Sequence, residues 1–193
     1  MSYTELIDVP PKDTFNLGLT SPRNKDMLGY FGHPVRNGRY NEDGSCSTPN
    51  RASFANRLKT RNVGPFRTTG IEPALDSLKD VFSRVHREVP ELHAMLGTAG
   101  MQCARYTKIR RRNGRIRIGP NISNHSWGTA IDIKLDGELD AQGNNKVQRG
   151  LLILSSYFNS AGWYWGAAFP TEDAMHFEAS RSLLARWKRD GLI

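Results

Sequence analysis

The run Ser123-Asn124-His125-Ser126-Trp127-Gly128-Thr129-Ala130-Ile131-Asp132, followed by Asp173-Ala174-Met175-His176, constrains the fold more than any other part of the chain. Its two imidazoles and one carboxylate form a three-donor set for a metal only if His125, Asp132 and His176 meet at one point. His125 and Asp132 are too far apart to share adjacent turns of one helix, where side chains meet at spacings of three and four. A loop bearing His125 that turns at Gly128 into a strand bearing Asp132 brings them together, and small Ala130 leaves room beneath. His176 must then arrive on a neighbouring strand.

Three donors leave a fourth tetrahedral position open, whereas structural zinc sites are usually closed with four ligands and rich in Cys. The set therefore reads as catalytic, and its mixture of imidazole and carboxylate suits zinc better than magnesium. Asp173, three residues before His176, is placed to act as general base, with Glu172 and Glu178 as its rivals. This is the working set of a metallopeptidase. A cation is still needed to hold the scissile carbonyl or a substrate carboxylate, and Arg105, on an expected strand, is the candidate. Trp127, beside a donor, is core or wall on one reading and a substrate platform on the other. Trp163 and Trp165 read as core, and His33, His86 and His93 as structural.

The rest of the chain supplies elements of mixed type. The stripe Ile71, Ala74, Leu75, Leu78, Val81, Phe82 and Val85 recurs at spacings of three and four, which predicts a helix ended by Pro90. A second helix is expected from about 146 to 161, stopped by Gly162, and a third over 182–190. Strands are expected at 101–107, 116–118, 129–135, 163–166 and 175–178. Without a regular βαβ rhythm the class is α+β, a small antiparallel sheet with packed helices. Residues 1–65, rich in Gly, Pro, Asn and Arg, read as an ordered wrapping arm with a short helix over 51–58. Residues 66–193 read as the catalytic domain.

No stretch is long and apolar enough to span a membrane, and the N-terminus lacks the basic and apolar regions of a secretory signal. The expectation is cytoplasmic synthesis, with action on a cell wall if the protein is released. A net charge of +8 favours anionic polymers, either nucleic acid or a bacterial wall. Its densest part, residues 108–117, reads as a solvated hairpin or a substrate-facing surface. No nucleic-acid module accompanies the charge, so nucleic acid is disfavoured as a partner. Two cysteines make no disulfide framework. Cys103 is expected as a buried thiol and Cys46 in a loop, with a bond between them left open.

The motifs resemble those of the zinc D-alanyl-D-alanine carboxypeptidase and L-alanyl-D-glutamate endopeptidase family, whose fold is shared with the Hedgehog signalling domain. The family pattern Ser-x-His-x-x-Gly-x-Ala-x-Asp is met by Ser123, His125, Gly128, Ala130 and Asp132, and its acidic residue three before the last His by Asp173 and His176. This resemblance, over roughly residues 70–190, implies zinc on His125, Asp132 and His176, with Asp173 as base. It also implies a bacterial cell-wall peptide as substrate and maps the family arginine onto Arg105; Ser123 and Trp127 are expected as further substrate contacts, and the protein as a monomer. The family arginine usually sits in a Gly-Tyr-Arg-Ser-like context, where this chain has Cys103-Ala104-Arg105-Tyr106. An Asp base looks more like the L-alanyl-D-glutamate enzymes. The alternative is a non-catalytic zinc-containing module of the same fold.

Overall fold

A computed structural model describes residues 2–110 and 115–193 of the 193-residue chain. In chain order the elements are β1 (Leu6–Asp8), α1 (Asn24–Phe31), α2 (Ala52–Ala55), β2 (Leu58–Asn62), β3 (Arg67–Ile71), α3 (Glu72–Glu88) and α4 (Pro90–Ala94). They continue with β4 (Leu96–Gly100), β5 (Tyr106–Arg110), β6 (Ile116–Ile122), β7 (Ala130–Leu135), β8 (Glu138–Leu139) and β9 (Lys146–Gln148). The chain closes with α5 (Arg149–Ser160), β10 (Trp163–Trp165), β11 (His176–Ala179) and α6 (Arg181–Arg189). This is an α+β architecture of small antiparallel sheets and helices. Among the described residues no helix is long and apolar enough to cross a membrane.

The principal sheet has the order β10-β11-β7-β4, with β8 hairpinned onto β7, and every pairing in it is antiparallel. Its register places His176 directly opposite Asp132 and Glu178 opposite Ala130. Residues paired across antiparallel strands share a face with their Cβ atoms close together. Two donors of the expected set are thus set side by side by backbone pairing alone. The rim of the sheet is held by its own tryptophans. The Trp165 indole N–H donates to the Ala174 carbonyl at 2.6 Å, tying the 173–176 turn to β10. Gly166 makes that approach possible, because a Cβ there would lie 2.6 Å from the Asp173 carbonyl oxygen.

Helix α3 buries Ala74, Leu75, Leu78, Val81, Phe82 and Val85, the stripe read from the sequence. Phe82 packs edge-on to Phe158 of α5, which stacks on Phe177 of β11 at 4.1 Å, so one aromatic column joins helices to sheet. Proline restricts its predecessor away from helical angles, and Val89 is accordingly at φ −142°, ψ 64°. Pro90 does more than stop α3: it opens α4, a short helix not expected from the sequence. The second helix begins at Arg149 rather than 146, because residues 146–148 pair as β9 with β1 at the N-terminus.

The first 65 residues hold more regular structure than their composition suggests. Helix α1 was not expected. It buries Met27 and Phe31, and the Asn24 amide pairs with both backbone polar groups of Ile122 at 2.7 and 2.8 Å. The helix expected over 51–58 is confined to Ala52–Ala55, and Leu58 starts β2 of a hairpin that spans position 65. Phe15, Phe31, Tyr40, Phe54 and Val63 join the same buried cluster as the sheet. The strand expected over 101–107 is displaced. Regular pairing stops at Gly100 and resumes at Tyr106, leaving Met101–Arg105 as a connecting segment. Cys103 is not a free thiol there but is bonded to Cys46, with Cα atoms 5.0 Å apart. Closing a loop of 57 residues is worth about 4 kcal/mol by restriction of the unfolded chain.

Candidate metal centre

His125 sits in a single 3-10 turn, Asn124–Trp127, between β6 and β7. Gly128 ends that turn at φ 61°, ψ 38°, the left-handed region, and its N–H returns to the His125 carbonyl at 3.0 Å. A Cβ at Gly128 would also lie 2.8 Å from the Gly70 Cα, so both conformation and space require glycine. The turn delivers His125 Nε2 to 3.1 Å from Asp132 Oδ1 and 3.1 Å from His176 Nδ1, which are themselves 3.1 Å apart. His125 and His176 are buried, whereas the Asp132 side chain keeps 21% of its exposure, so the open side of the cluster lies by the carboxylate.

The partners of the far ring nitrogens fix which atoms face the cluster. His125 Nδ1 lies 2.8 Å from the Met101 carbonyl, which can only accept, so Nδ1 carries the proton and Nε2 presents its lone pair. His176 Nε2 lies 3.0 Å from Glu178 Oε2, which keeps a proton on Nε2 and leaves Nδ1 as the ring atom that would take an ion in exchange for its proton. These are the outer hydrogen bonds that orient metal-binding imidazoles and raise their basicity. Three donors on a tetrahedral zinc with bonds near 2.0–2.1 Å stand about 3.3 Å apart, close to the triangle seen here. The donor set and its spacing therefore fit a divalent metal of that kind. Burial pulls the His176 pKa down, but hydrogen bonds to Asp132 and Glu178 outweigh it and lift it to about 10. Burial pushes Asp132 up, yet the two imidazoles hold its carboxyl far below the usual range.

Asp173 lies at the edge of the cluster. Its Oδ2 accepts from Gln142 Nε2 at 3.0 Å, and its Oδ1 is buried with no hydrogen-bond partner. Burial raises its pKa to about 6; His176 opposes this, and the nearby Asp132 carboxylate adds to it. A carboxylate with one oxygen held and the other unpartnered beside a metal-binding triangle can accept a proton there. Glu178 also has one buried oxygen, Oε1, without a partner, but its Oε2 binds the His176 nitrogen that faces away from the cluster. Glu172 is committed to backbone N–H groups of Gly143, Asn145 and Ala174, and Glu178 to His176 and Asn124. Arg105 is half-buried just before β5. Burial lowers its pKa, while Asp132 and Asp173 are near enough to raise it. Its guanidinium also donates to the Tyr106 carbonyl at 3.1 Å.

Two expected substrate contacts fall elsewhere. Trp127 is fully buried, and its indole N–H donates to the Gly32 carbonyl at 2.8 Å, so it anchors the arm and cannot wall a substrate site. Ser123 is 6% exposed; its N–H donates to the Arg105 carbonyl and its carbonyl accepts from Ser126, both frame contacts. His86 and His93 pair with each other at 3.3 Å, and His33 lies beside Tyr40, away from the donors. Of the basic run 108–117, the described residues form the antiparallel β5–β6 hairpin, and residues 111–114 lie outside the described residues. A cavity of about 670 Å³, lined by Arg61, Glu72, Asp76, Arg186 and Trp187 among others, includes none of the donors. Met101, Gln142, Asn124 and the orienting role of Glu178 were not read from the sequence.

Residues 117–179 match the family model described as D-alanyl-D-alanine carboxypeptidase. That segment runs from β6 to β11 and contains all three donors, Asp173 and Gln142, but not Arg105. The match bears out, over that segment, the resemblance read from the two motifs. No curated protein and no solved structure matches the chain significantly.

Proposed function

We propose that the protein is a zinc peptidase that hydrolyses a peptide bond in bacterial peptidoglycan stem peptides, as a D-alanyl-D-alanine carboxypeptidase or an L-alanyl-D-glutamate endopeptidase, on a fold of the Hedgehog and D-alanyl-D-alanine peptidase kind. The observation that carries the reading is the triangle of His125 Nε2, Asp132 Oδ1 and His176 Nδ1 at 3.1 Å, with the unpartnered Asp173 Oδ1 beside it. His125, Asp132 and His176 would hold the ion, and the chemistry that zinc supplies in such a site is Lewis-acid polarisation of a water and of the scissile carbonyl.

The chain's own residues do the rest. Asp173 Oδ1 takes the proton of the attacking water and delivers it to the leaving amine, with Gln142 holding the other oxygen so that the base does not rotate away. Arg105 supplies positive charge beside two carboxylates, suited to a substrate carboxylate or to the developing oxyanion. The net charge of +8 assists approach to an anionic wall. An aspartate in the base position favours the L-alanyl-D-glutamate bond. Release onto the wall from the cytoplasm, as a monomer, completes the proposal.

Incubating the zinc-loaded protein with purified peptidoglycan and identifying the released fragments by mass spectrometry tests this directly. New N-termini at one stem-peptide bond, abolished by EDTA and restored by zinc, are expected. Zinc bound at one equivalent with no fragment released would reject the peptidase and favour a non-catalytic metal module.

A further inference from the structure

Segment 101–105 carries two groups of the metal centre, the Met101 carbonyl that accepts from His125 Nδ1 and the guanidinium of Arg105. It lies between β4 and β5 and belongs to no strand. One side of it is stitched to the donor turn: Cys103 N–H donates to the His125 carbonyl at 3.0 Å, Arg105 N–H to Ser126 Oγ at 3.0 Å, and Ser123 N–H to the Arg105 carbonyl at 3.0 Å. The other side is held by the arm, through the Cys46–Cys103 bond and one backbone bridge, Ser47 N–H to the Ala104 carbonyl at 2.8 Å.

Building on the metal reading above, we propose that the Cys46–Cys103 disulfide is a positioning element of the metal centre. It braces segment 101–105 from outside, so that the Met101 carbonyl holds the His125 proton on Nδ1 and leaves Nε2 free for the metal, and so that Arg105 stays beside Asp132 and Asp173. The arm around Cys46 has no regular structure, and its neighbours Asn41, Asp43 and Ser45 bond chiefly among themselves. Without the covalent link, the backbone tie of the arm to this segment is one hydrogen bond, from half-buried Ser47 to buried Ala104, and the net contribution of a single such bond is small. Cys46 is exposed and Cys103 half-buried, so a reductant has access. A water-soluble phosphine converts the bond to two thiols, taking one water and becoming the phosphine oxide, and it needs no thiol that would compete for metal.

The test compares oxidised protein, phosphine-reduced protein and the Cys46→Ser/Cys103→Ser variant. Cobalt(II) affinity is read by competition with a chromogenic chelator, together with the visible spectrum of the bound ion. Without metal, the imidazole ¹⁵N–¹H correlations of His125 report its tautomer. Reduction and the double substitution should weaken cobalt binding at least tenfold, alter the spectrum and lose the single Nδ1–H tautomer of His125, and reoxidation of the reduced protein should restore all three. Equal affinity, spectrum and tautomer in the oxidised and reduced forms would overturn the proposal. Should the double variant not fold, phosphine-treated protein with an unchanged circular dichroism spectrum decides the question. If oxidised protein binds no metal, the metal reading fails, and the His125 tautomer still decides for or against the brace.

Discussion

Replacing Glu178 tests whether the outer hydrogen bonds of the centre set its metal affinity. Glu178 is 3% exposed and its Oε2 is shared by His176 Nε2 at 3.0 Å and Asn124 Nδ2 at 2.8 Å. Glu178→Ala leaves both N–H donors buried without a partner and frees the His176 ring to rotate. An unsatisfied buried donor costs about 1–3 kcal/mol, and loss of such an orienting partner typically costs about 10–100-fold in metal affinity. The two scales agree, since tenfold corresponds to about 1.4 kcal/mol. Glu178→Gln should lose much less, because one amide oxygen in the place of Oε2 serves both donors and only the charge is removed. Zinc affinity measured by competition with a chromogenic chelator should therefore fall ~10–100-fold for Glu178→Ala and less than ~10-fold for Glu178→Gln. Equal affinity for Glu178→Ala and the unaltered protein would refute the reasoning.

Other expectations follow from single residues. Asp173→Asn should retain stoichiometric zinc and lose about 10²–10⁴-fold in turnover of released wall fragments, and near-normal turnover would remove Asp173 as the base. Asp140 is 3% exposed, one of its oxygens has no partner, and burial lifts its pKa from 3.8 to about 6, a rise that the Gln148 N–H opposes and Glu172 reinforces. A carboxyl with a raised folded pKa binds its proton more tightly when folded, so its contribution to stability falls as pH rises from about 4 to about 6 and stays lost above. Asp140→Asn keeps an oxygen for the Gln148 N–H and should gain on the order of 2 kcal/mol over the unaltered protein at pH 8 relative to pH 4 in denaturant melts. An unchanged difference between those pH values would contradict this. Gly128→Ala should cost at least about 2 kcal/mol by thermal melting, from the left-handed φ together with the contact at Gly70.

The His125, Asp132 and His176 cluster was legible because its geometry follows from local rules. Alternation along 130–135 and 176–178 sets the faces of two strands, and Gly128 supplies the turn that returns His125 to Asp132. The α3 stripe was legible for the same reason, a strong period over many residues. What the sequence concealed is long-range or carried by the main chain. The Met101 carbonyl leaves no trace in residue type, and Gln142 reaches Asp173 across 31 positions. The Cys46–Cys103 bond spans 57 positions that composition leaves unpaired. Trp127 stayed open between core and substrate contact because adjacency in sequence to His125 says nothing of exposure, and its buried indole anchors Gly32. Helix α1 was hidden by the Gly, Pro and Asn around its eight residues, and its support comes from Ile122, far along the chain.

The most direct test of the whole account is an anomalous-scattering crystal structure of the zinc-loaded protein, recorded at the zinc absorption edge. The account predicts a zinc peak bound by His125 Nε2, Asp132 Oδ1 and His176 Nδ1, with a non-protein ligand in the fourth position. A peak elsewhere, or a fourth protein side chain closing the coordination, would contradict it.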